Sequence, residues 1–227
     1  VPLGDSHDAF DDDAIARLRL AAEEVAWLTG RGYEISAVGD LVAAHHTLSD
    51  AQRAALACGT CSEPQYRRRA ARELEPEDVA RRPLAIDAID AIAAVEAALE
   101  GRPVLQTLDG TVRAFGVDRE RYVAGARVDD AVDGLLAAAK ELRPSIIRFY
   151  VDEVSGAKDL ADRITARAKN VKAKAEASLV ASARTALAKE PQIVTGDAAT
   201  LDACASWLNL VGRLVESLPN AKIVRLQ

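Results

Sequence analysis

Methionine is absent from this chain of 227 residues, and aromatic side chains make up only 4% of it. So few ring faces leave no advertised platform for stacking bases. Histidine is confined to His7, His45 and His46 in the amino-terminal part, which denies any Ser–His or Cys–His nucleophile scheme a base near the acidic segments described below. Three cysteines, Cys58, Cys61 and Cys204, are too few and too oddly numbered for a secreted disulfide frame. No apolar run approaches the roughly 20 residues that span a bilayer, and no charged-then-apolar opening resembles a signal peptide. The expectation is a cytoplasmic chain with no membrane partner, whose start at Val1 reflects trimming or processing. There is no Walker A loop, no G-x-G-x-x-G turn and no G-x-S-x-G elbow. A net charge of −6 argues against a general nucleic-acid coat while leaving room for a local basic face.

What is present is a globular composition, 49% hydrophobic and 28% charged, with enough apolar content for a sizeable core. After a loose tail from Val1 to Phe10, Asp11-Asp-Asp13 caps a helix in which Ile15, Leu18, Ala22, Val25 and Leu28 recur at three or four residues. Gly30-Arg-Gly-Tyr33 breaks it. Two more helices are expected, from Glu34 to about Ala44 and from a Ser49 cap through Ala57. Residues 1–75 thus read as a helical amino-terminal module with an Arg-rich connector, and residues 76–227 as an α/β domain. In the latter, apolar runs at Leu84–Asp90, Ile146–Val151 and Ile193–Val194 alternate with helical stretches at 91–100, 129–142, 156–168 and 197–218. The segment Val171–Glu176 alternates like a strand before an Ala-rich helix to Lys189, and Ile223–Leu226 closes the chain as a strand. Asp109-Gly110 between Val104–Leu108 and Thr111–Phe115 is a two-residue hairpin signal. The alternation predicts a doubly wound, mostly parallel sheet.

Three of the strands end in acids: Asp87 and Asp90, then Asp152, then Asp197 with Asp202 one helical turn beyond. In an open parallel sheet the carboxyl ends converge on one crevice. Carboxylates gathered there repel one another unless a cation sits among them, and a hard ion such as Mg²⁺ or Mn²⁺ suits an all-oxygen set. Asp87, Asp90, Asp152 and Asp197 are the candidate metal ligands, Asp202 a helper, and Thr195 a residue that orients a carboxylate or a water. The bland alternative is that these acids cap helices, Asp197 in particular. Arg67, Arg68, Arg69 and Arg72 read either as a solvated helix with internal ion pairs or as a phosphate-contacting face. Cys58-Gly-Thr-Cys61 could take zinc only with His45 and His46, there being no second pair of thiols; packed or exposed free thiols are the alternative.

The order Asp87, Asp152, Thr195-x-Asp197, with Asp202 following, is similar to that of the PIN-domain-like ribonucleases. More closely, the chain resembles the prokaryotic family of domain of unknown function 434 with a PIN-like carboxyl-terminal half. The matching stretches are Leu48–Arg53, Cys61-Ser62 with the Arg cluster, Leu84–Asp87, Val95–Leu99, Asp109-Gly110 and Thr195–Leu210. The first strand departs from that family's Ile-Asp-Gly-aromatic-Asn, with Ala88, Ile89 and Asp90 at the last three positions. The resemblance implies a PIN-like α/β fold after a small helical module. The expected function is a Mg²⁺- or Mn²⁺-dependent nuclease acting on RNA, with Asp87, Asp152, Asp197, Asp202 and Thr195 as its catalytic set. The rival is an inactive PIN-like binding or interaction protein; self-association is left open.

Overall fold

The structure is a computed structural model that describes residues 9–227; His7 and the expected tail, apart from its last two positions, lie outside these residues. The amino-terminal part is helical for the local reasons its sequence supplies. In α1 (Asp12–Gly30), Asp11 accepts the Ala14 N–H at 2.7 Å, and Leu18, Ala21, Ala22 and Val25 form the buried stripe. α2 (Ile35–His45) and α3 (Asp50–Gly59) follow, the latter opened by a capping box in which Ser49 and Gln52 satisfy each other's backbone N–H groups. A second box, Ser62 with Gln65, starts α4 (Glu63–Ala70), which carries the arginine cluster.

Beyond a short 3₁₀ turn at Pro76–Val79, β1 (Leu84–Asp87) and α5 (Ala88–Leu99) begin the α/β part. The strand stops earlier than the sequence suggests. Ala88 carries straight into the helix, so Asp90 lies in the first turn of α5 rather than on a strand end. A hairpin of β2 (Val104–Gln106) and β3 (Val112–Ala114) comes next. Its loop is one residue longer than the Asp-Gly signal indicates. Thr107 N–H bonds to Thr111 C=O, and Gly110 N–H to Thr107 C=O, with Gly110 at φ +84°. Leu108-Asp109-Gly110 is therefore a three-residue connection with glycine in the left-handed position.

The chain continues through α6 (Val128–Glu141), β4 (Ile147–Asp152), α7 (Ala157–Asn170), β5 (Ala175–Val180), α8 (Ala183–Leu187) and β6 (Ile193–Val194). The alternating segment around residue 175 is a strand, but it lies further along than 171–176, and only a short helix follows it. The expected helix over 197–218 is two helices, α9 (Ala198–Ala203) and α10 (Leu210–Ser217). Trp207 causes the break. Its backbone pairs with Arg72 and Leu74, Leu208 N–H bonds to Ile193 C=O, and its indole N–H donates to the Arg69 carbonyl at 2.8 Å. Backbone groups committed in this way cannot join a helix ladder.

Four strands form a parallel sheet in the order β5-β4-β1-β6. One face is covered, and the other is covered over β1 and β6, whereas on β4 and β5 that second face carries the part-exposed Arg148 and the exposed Glu176 and Ser178. Leu84, Ile86, Phe149, Val151 and Val194 pack into the core built with α5, α6 and α7, while Ala85 and Ile193 face α8, Leu201 and Trp207. β7 (Ile223–Arg225) does not extend this sheet; it pairs with β2 in a second sheet ordered β3-β2-β7. That sheet joins the two parts of the chain. Val104 and Val112 belong to the α5–α7 core, and Leu105, Val224 and Leu226 pack among the side chains of α1, α2 and α3. Among the described residues no helix is long and apolar enough to cross a membrane.

Arg69 locks α4 onto this frame. Its side chain is 2% exposed, and it donates to Asp109 at 2.5 Å and to both oxygens of Asp202 at 2.8 Å. It is enclosed rather than presented to a substrate, and Arg72 is likewise turned inward, onto the Asp202 carbonyl. Arg67 and Arg68 are exposed, Arg67 pairing with Glu63. Burial pushes the acids of Asp109 and Asp202 upward. For Asp109, Thr107, Arg113, Thr111 and Arg69 outweigh that push; for Asp202, Arg69 and Gln65 do so, and both finish below the usual carboxylate range.

Removing one member of a buried ion network strands the others. Arg69→Ala should cost about 3–5 kcal/mol in urea unfolding, whereas Arg67→Ala should stay within about 0.5 kcal/mol. The sign of the pH effect follows from the depressed pKa values. The network contributes fully above the unfolded carboxylate value of about 4, and its contribution falls away as pH drops below that toward the lower folded values. Arg69→Ala should therefore flatten the acid limb of the stability curve, which thermal melts from pH 6 to pH 2 would register.

Candidate active site at the carboxyl end of the parallel sheet

β1 and β4 are neighbours in register, with Asp87 opposite Tyr150 and Asp152 two residues further on. Both strands therefore end on the same side and deliver their acids to one crevice, and the turn after β6 brings Thr195, Gly196 and Asp197 to its other flank. Asp87 is completely buried. The crevice holds a cation that sequence reasoning did not identify, the guanidinium of Arg119. Its Nη1 donates to Asp87 Oδ2 at 2.9 Å, and its Nη2 donates at 2.7 Å to both Asp87 Oδ1 and Asp152 Oδ2.

The framework secures the remaining lone pairs. Thr195 Oγ1 donates to Asp87 Oδ2 at 3.1 Å, and the Ala183 N–H donates to Asp152 Oδ1 at 2.8 Å. Asp90 accepts the Gly196 N–H. Gly196 has little room for a side chain, since a Cβ there would meet Asp90 Oδ2 at 3.0 Å and the Val112 carbonyl at 3.3 Å. Thr195 thus touches the carboxylate that the expected orienting role would require.

Two acids expected in the crevice are committed to other partners. Asp197 caps α9 through the Thr200 N–H at 2.9 Å and hydroxyl at 2.5 Å, and both of its oxygens pair with Arg184 at 3.0 Å. The cap reading of this residue is the one the geometry matches. Burial raises its pKa, but Thr200 and Arg184 bring the net value below the ordinary range. Asp202 belongs to the Arg69 network. The structure thus brings together Asp87, Asp90, Asp152 and Thr195, places Asp197 beside them behind Arg184, and turns Asp202 away.

The crevice opens into a cavity of about 460 Å³ lined by Arg119, Asp152, Glu153, Ser182 and Arg184 among others. Its electrostatics are unbalanced. Desolvation first, and then repulsion from Asp90 and Asp152, push the Asp87 acid up to about 6 despite Arg119. Desolvation also raises Asp90, against the Gly196 N–H and the charges of Arg113 and Arg119. Three carboxylates facing the guanidinium of Arg119, with Arg113 acting on Asp90, leave the site short of positive charge.

Among the described residues no three His, Cys, Asp or Glu side chains close on a single point as a ready metal cage. A magnesium-type ion does not need one, since one or two carboxylates completed by water and phosphate suffice. Asp87 and Asp152 meet that test, because a single cationic nitrogen already touches an oxygen of each. These two could hold such an ion, with Asp90 as a nearby charge. The zinc alternative fits less well. Cys58 is exposed, Cys61 is buried, His46 pairs with Glu24, and burial pushes the Cys61 thiol up to about 11, the reverse of an activated thiolate.

A buried acid with a raised pKa destabilises the folded state at neutral pH. Between about pH 6 and the unfolded value near 4 the folded protein binds the extra proton, so stability should increase as pH falls through that window, by an amount on the order of 2 kcal/mol. In buffer free of divalent ions Asp87→Asn should lack this increase, and urea titrations at pH 7.5 and pH 4.5 on both proteins would measure it.

Two family models match the chain. Residues 17–72 match the model described as "Protein of unknown function (DUF434)". Residues 76–213, more than half of the chain, match the model described as "Domain of unknown function (DUF5616)". The second match spans β1, β4 and β6 and every acid of the crevice, so the DUF434 resemblance holds over residues 17–72, and neither model is described as PIN-like. No curated protein and no solved structure matches. The chain belongs to the DUF5616 family, and its helical amino-terminal part carries the DUF434 signature.

Proposed function

We propose that the crevice at the carboxyl end of the parallel sheet hydrolyses phosphodiesters with the help of a divalent metal ion, and that RNA is the substrate. The observation that carries this reading is the meeting of Asp87 and Asp152, from adjacent parallel strands, at one cationic nitrogen 2.7 Å from each. A doubly wound parallel sheet with acids at its strand ends also accords with the PIN-like resemblance. Bound at these carboxylates, Mg²⁺ or Mn²⁺ would supply Lewis acidity toward phosphate oxygens and a water of lowered pKa.

The chain's own residues prepare the rest. Thr195 and the Ala183 N–H fix the rotamers of Asp87 and Asp152, so little reorganisation is left for the reaction. Asp90, held by Gly196, adds negative charge that favours cation uptake. Arg119 and Arg184 line the adjoining cavity and can pair with the phosphate oxygens as charge builds on them. A water oxygen bonds to phosphorus as one ester P–O bond breaks, and the proton lost by the water is balanced by one gained by the leaving hydroxyl. The exposed Arg67 and Arg68 are the members of the arginine cluster left to contact a nucleic-acid backbone.

One observation favours a second reading. The three hydrogen bonds of Arg119 could make it a permanent replacement for the metal, which would leave a PIN-like binding or interaction protein without activity. Calorimetric titration with Mn²⁺ separates the two. Wild type should bind in the low-micromolar to sub-millimolar range, and both Asp87→Asn and Asp152→Asn should abolish binding while still unfolding cooperatively. RNA cleavage, run beside single-stranded DNA, should be lost in both variants. A wild type that takes up no Mn²⁺ would leave the second reading in place.

A further inference from the structure

The segment Phe115–Arg127, between β3 and α6, contains no regular structure except a single 3₁₀ turn at Arg119–Arg121. Its ends are anchored. Phe115 stacks on Phe10 with ring centroids 4.7 Å apart, and Tyr122 packs against the main core and donates its hydroxyl to the buried Glu96 at 3.2 Å. Gly125 lets the backbone lie against that carboxylate, for a Cβ would stand 2.7 Å from Glu96 Oε1.

The middle is held differently. Val117, Asp118, Glu120 and Arg121 are exposed, and Asp118 bonds within its own turn, to the Glu120 N–H. Among the described residues, the hydrogen bonds that tie Val117–Arg121 to the rest of the molecule are those of Arg119 to Asp87 and Asp152. Gly116, at φ +65°, supplies a bend at the start of this stretch.

Arg119 occupies the carboxylate oxygens that a divalent ion would need. Asp87 gives it both oxygens, one of them shared with Thr195. Asp152 gives it Oδ2, its Oδ1 being held by the Ala183 N–H. A guanidinium and a divalent cation cannot share these atoms, since like charges a few ångströms apart in a half-buried site repel strongly. Arg119 must therefore withdraw for the crevice to load. The adjoining space is the cavity it already lines with Ser182 and Arg184, and a guanidinium there has the fork geometry that suits a phosphate.

Resting on the metal-dependent reading above, we propose that Phe115–Arg127 is a strap latched by Arg119. In the free protein Arg119 is the crevice's own counter-ion. On loading with a divalent cation it releases Asp87 and Asp152 and becomes a ligand of the substrate phosphate. The strap thereby couples metal uptake to phosphate binding.

Mn²⁺ calorimetry on wild type, Arg119→Ala and Arg119→Lys tests the latch. With the competing guanidinium gone, Arg119→Ala should bind Mn²⁺ about tenfold more tightly or better, and Arg119→Lys should fall between the two. At saturating Mn²⁺, inorganic phosphate should bind wild type and bind Arg119→Ala about tenfold more weakly. Trypsin supplies a readout that needs no variant: Mn²⁺ should speed cleavage of wild type after Arg119 and Arg121, as the middle of the strap comes free. Equal Mn²⁺ affinity in wild type and Arg119→Ala would overturn the latch while leaving the metal-dependent reading intact. No Mn²⁺ binding by either protein would overturn both. Should Arg119→Ala fail to fold, unchanged trypsin cleavage of Mn²⁺-saturated wild type would by itself overturn the latch.

Discussion

A carboxylate taken out of water needs a positive partner, and this fold meets that constraint twice with arginine. Arg69 is enclosed between Asp109 and Asp202, and Arg119 lies between Asp87 and Asp152. The chemistry of the two clusters is nearly the same, but their exposure is not. The Arg69 side chain is 2% exposed and that of Arg119 30%. In the first, aspartates from the β2–β3 hairpin and α9 close over an arginine of α4, and the acids finish with lowered pKa values. In the second, Asp87 finishes raised to about 6 even with a guanidinium on it. The first network holds its acids below the ordinary range and the second leaves Asp87 and Asp90 above it, which is the physical reason for proposing a structural role for the first and a functional one for the second.

The imbalance follows from topology. A parallel sheet directs the carboxyl ends of adjacent strands to one side, so each strand ending in an acid adds a negative charge to the same small volume. β1 and β4 do so with Asp87 and Asp152, and the first turn of α5 adds Asp90. The positive charge has to come from outside the sheet, and it comes from the long connection between β3 and α6. That connection follows a hairpin which belongs to the second sheet, the one against which the amino-terminal helices pack. The helical part and the crevice are thus parts of one mechanical unit: α1–α3 support the second sheet, that sheet carries β3, and β3 leads into the segment bearing Arg119.

Much of this was legible in the sequence. Apolar runs ending in Asp located β1, β4 and β6, and the Ser49 and Asp11 caps located α3 and α1, because these signals are local and their physics is short-range. Misreadings arose where tertiary partners decide. Asn209, which caps α10 by accepting the Gly212 N–H, is a local mark of a new helix start, but Trp207 itself becomes a helix breaker through backbone pairing with Arg72 and Leu74, more than 130 positions away. Arg69 looks no different from Arg67 and Arg68 in sequence, and only helical phase together with Asp109 and Asp202 makes it the buried one. Arg119 sits in an irregular stretch with no pattern at all. The signal that pointed to it was indirect: several acids converging on one crevice require a cation, and the chain itself is one source of cations.

That last point bears on how acidic crevices are read more generally. Converging carboxylates establish a need for positive charge, and an ion and a guanidinium are competing answers to it. The two leave different traces in the surroundings. A permanent internal partner is expected to be enclosed and to bring its acids to lowered pKa values, as Arg69 does for Asp109 and Asp202. Arg119 is part-exposed, is carried by a segment whose middle has little else to hold it, and leaves two acids with raised pKa values. Those are the properties of a partner that can be exchanged, and they favour a crevice that binds a cation over one already neutralised for good.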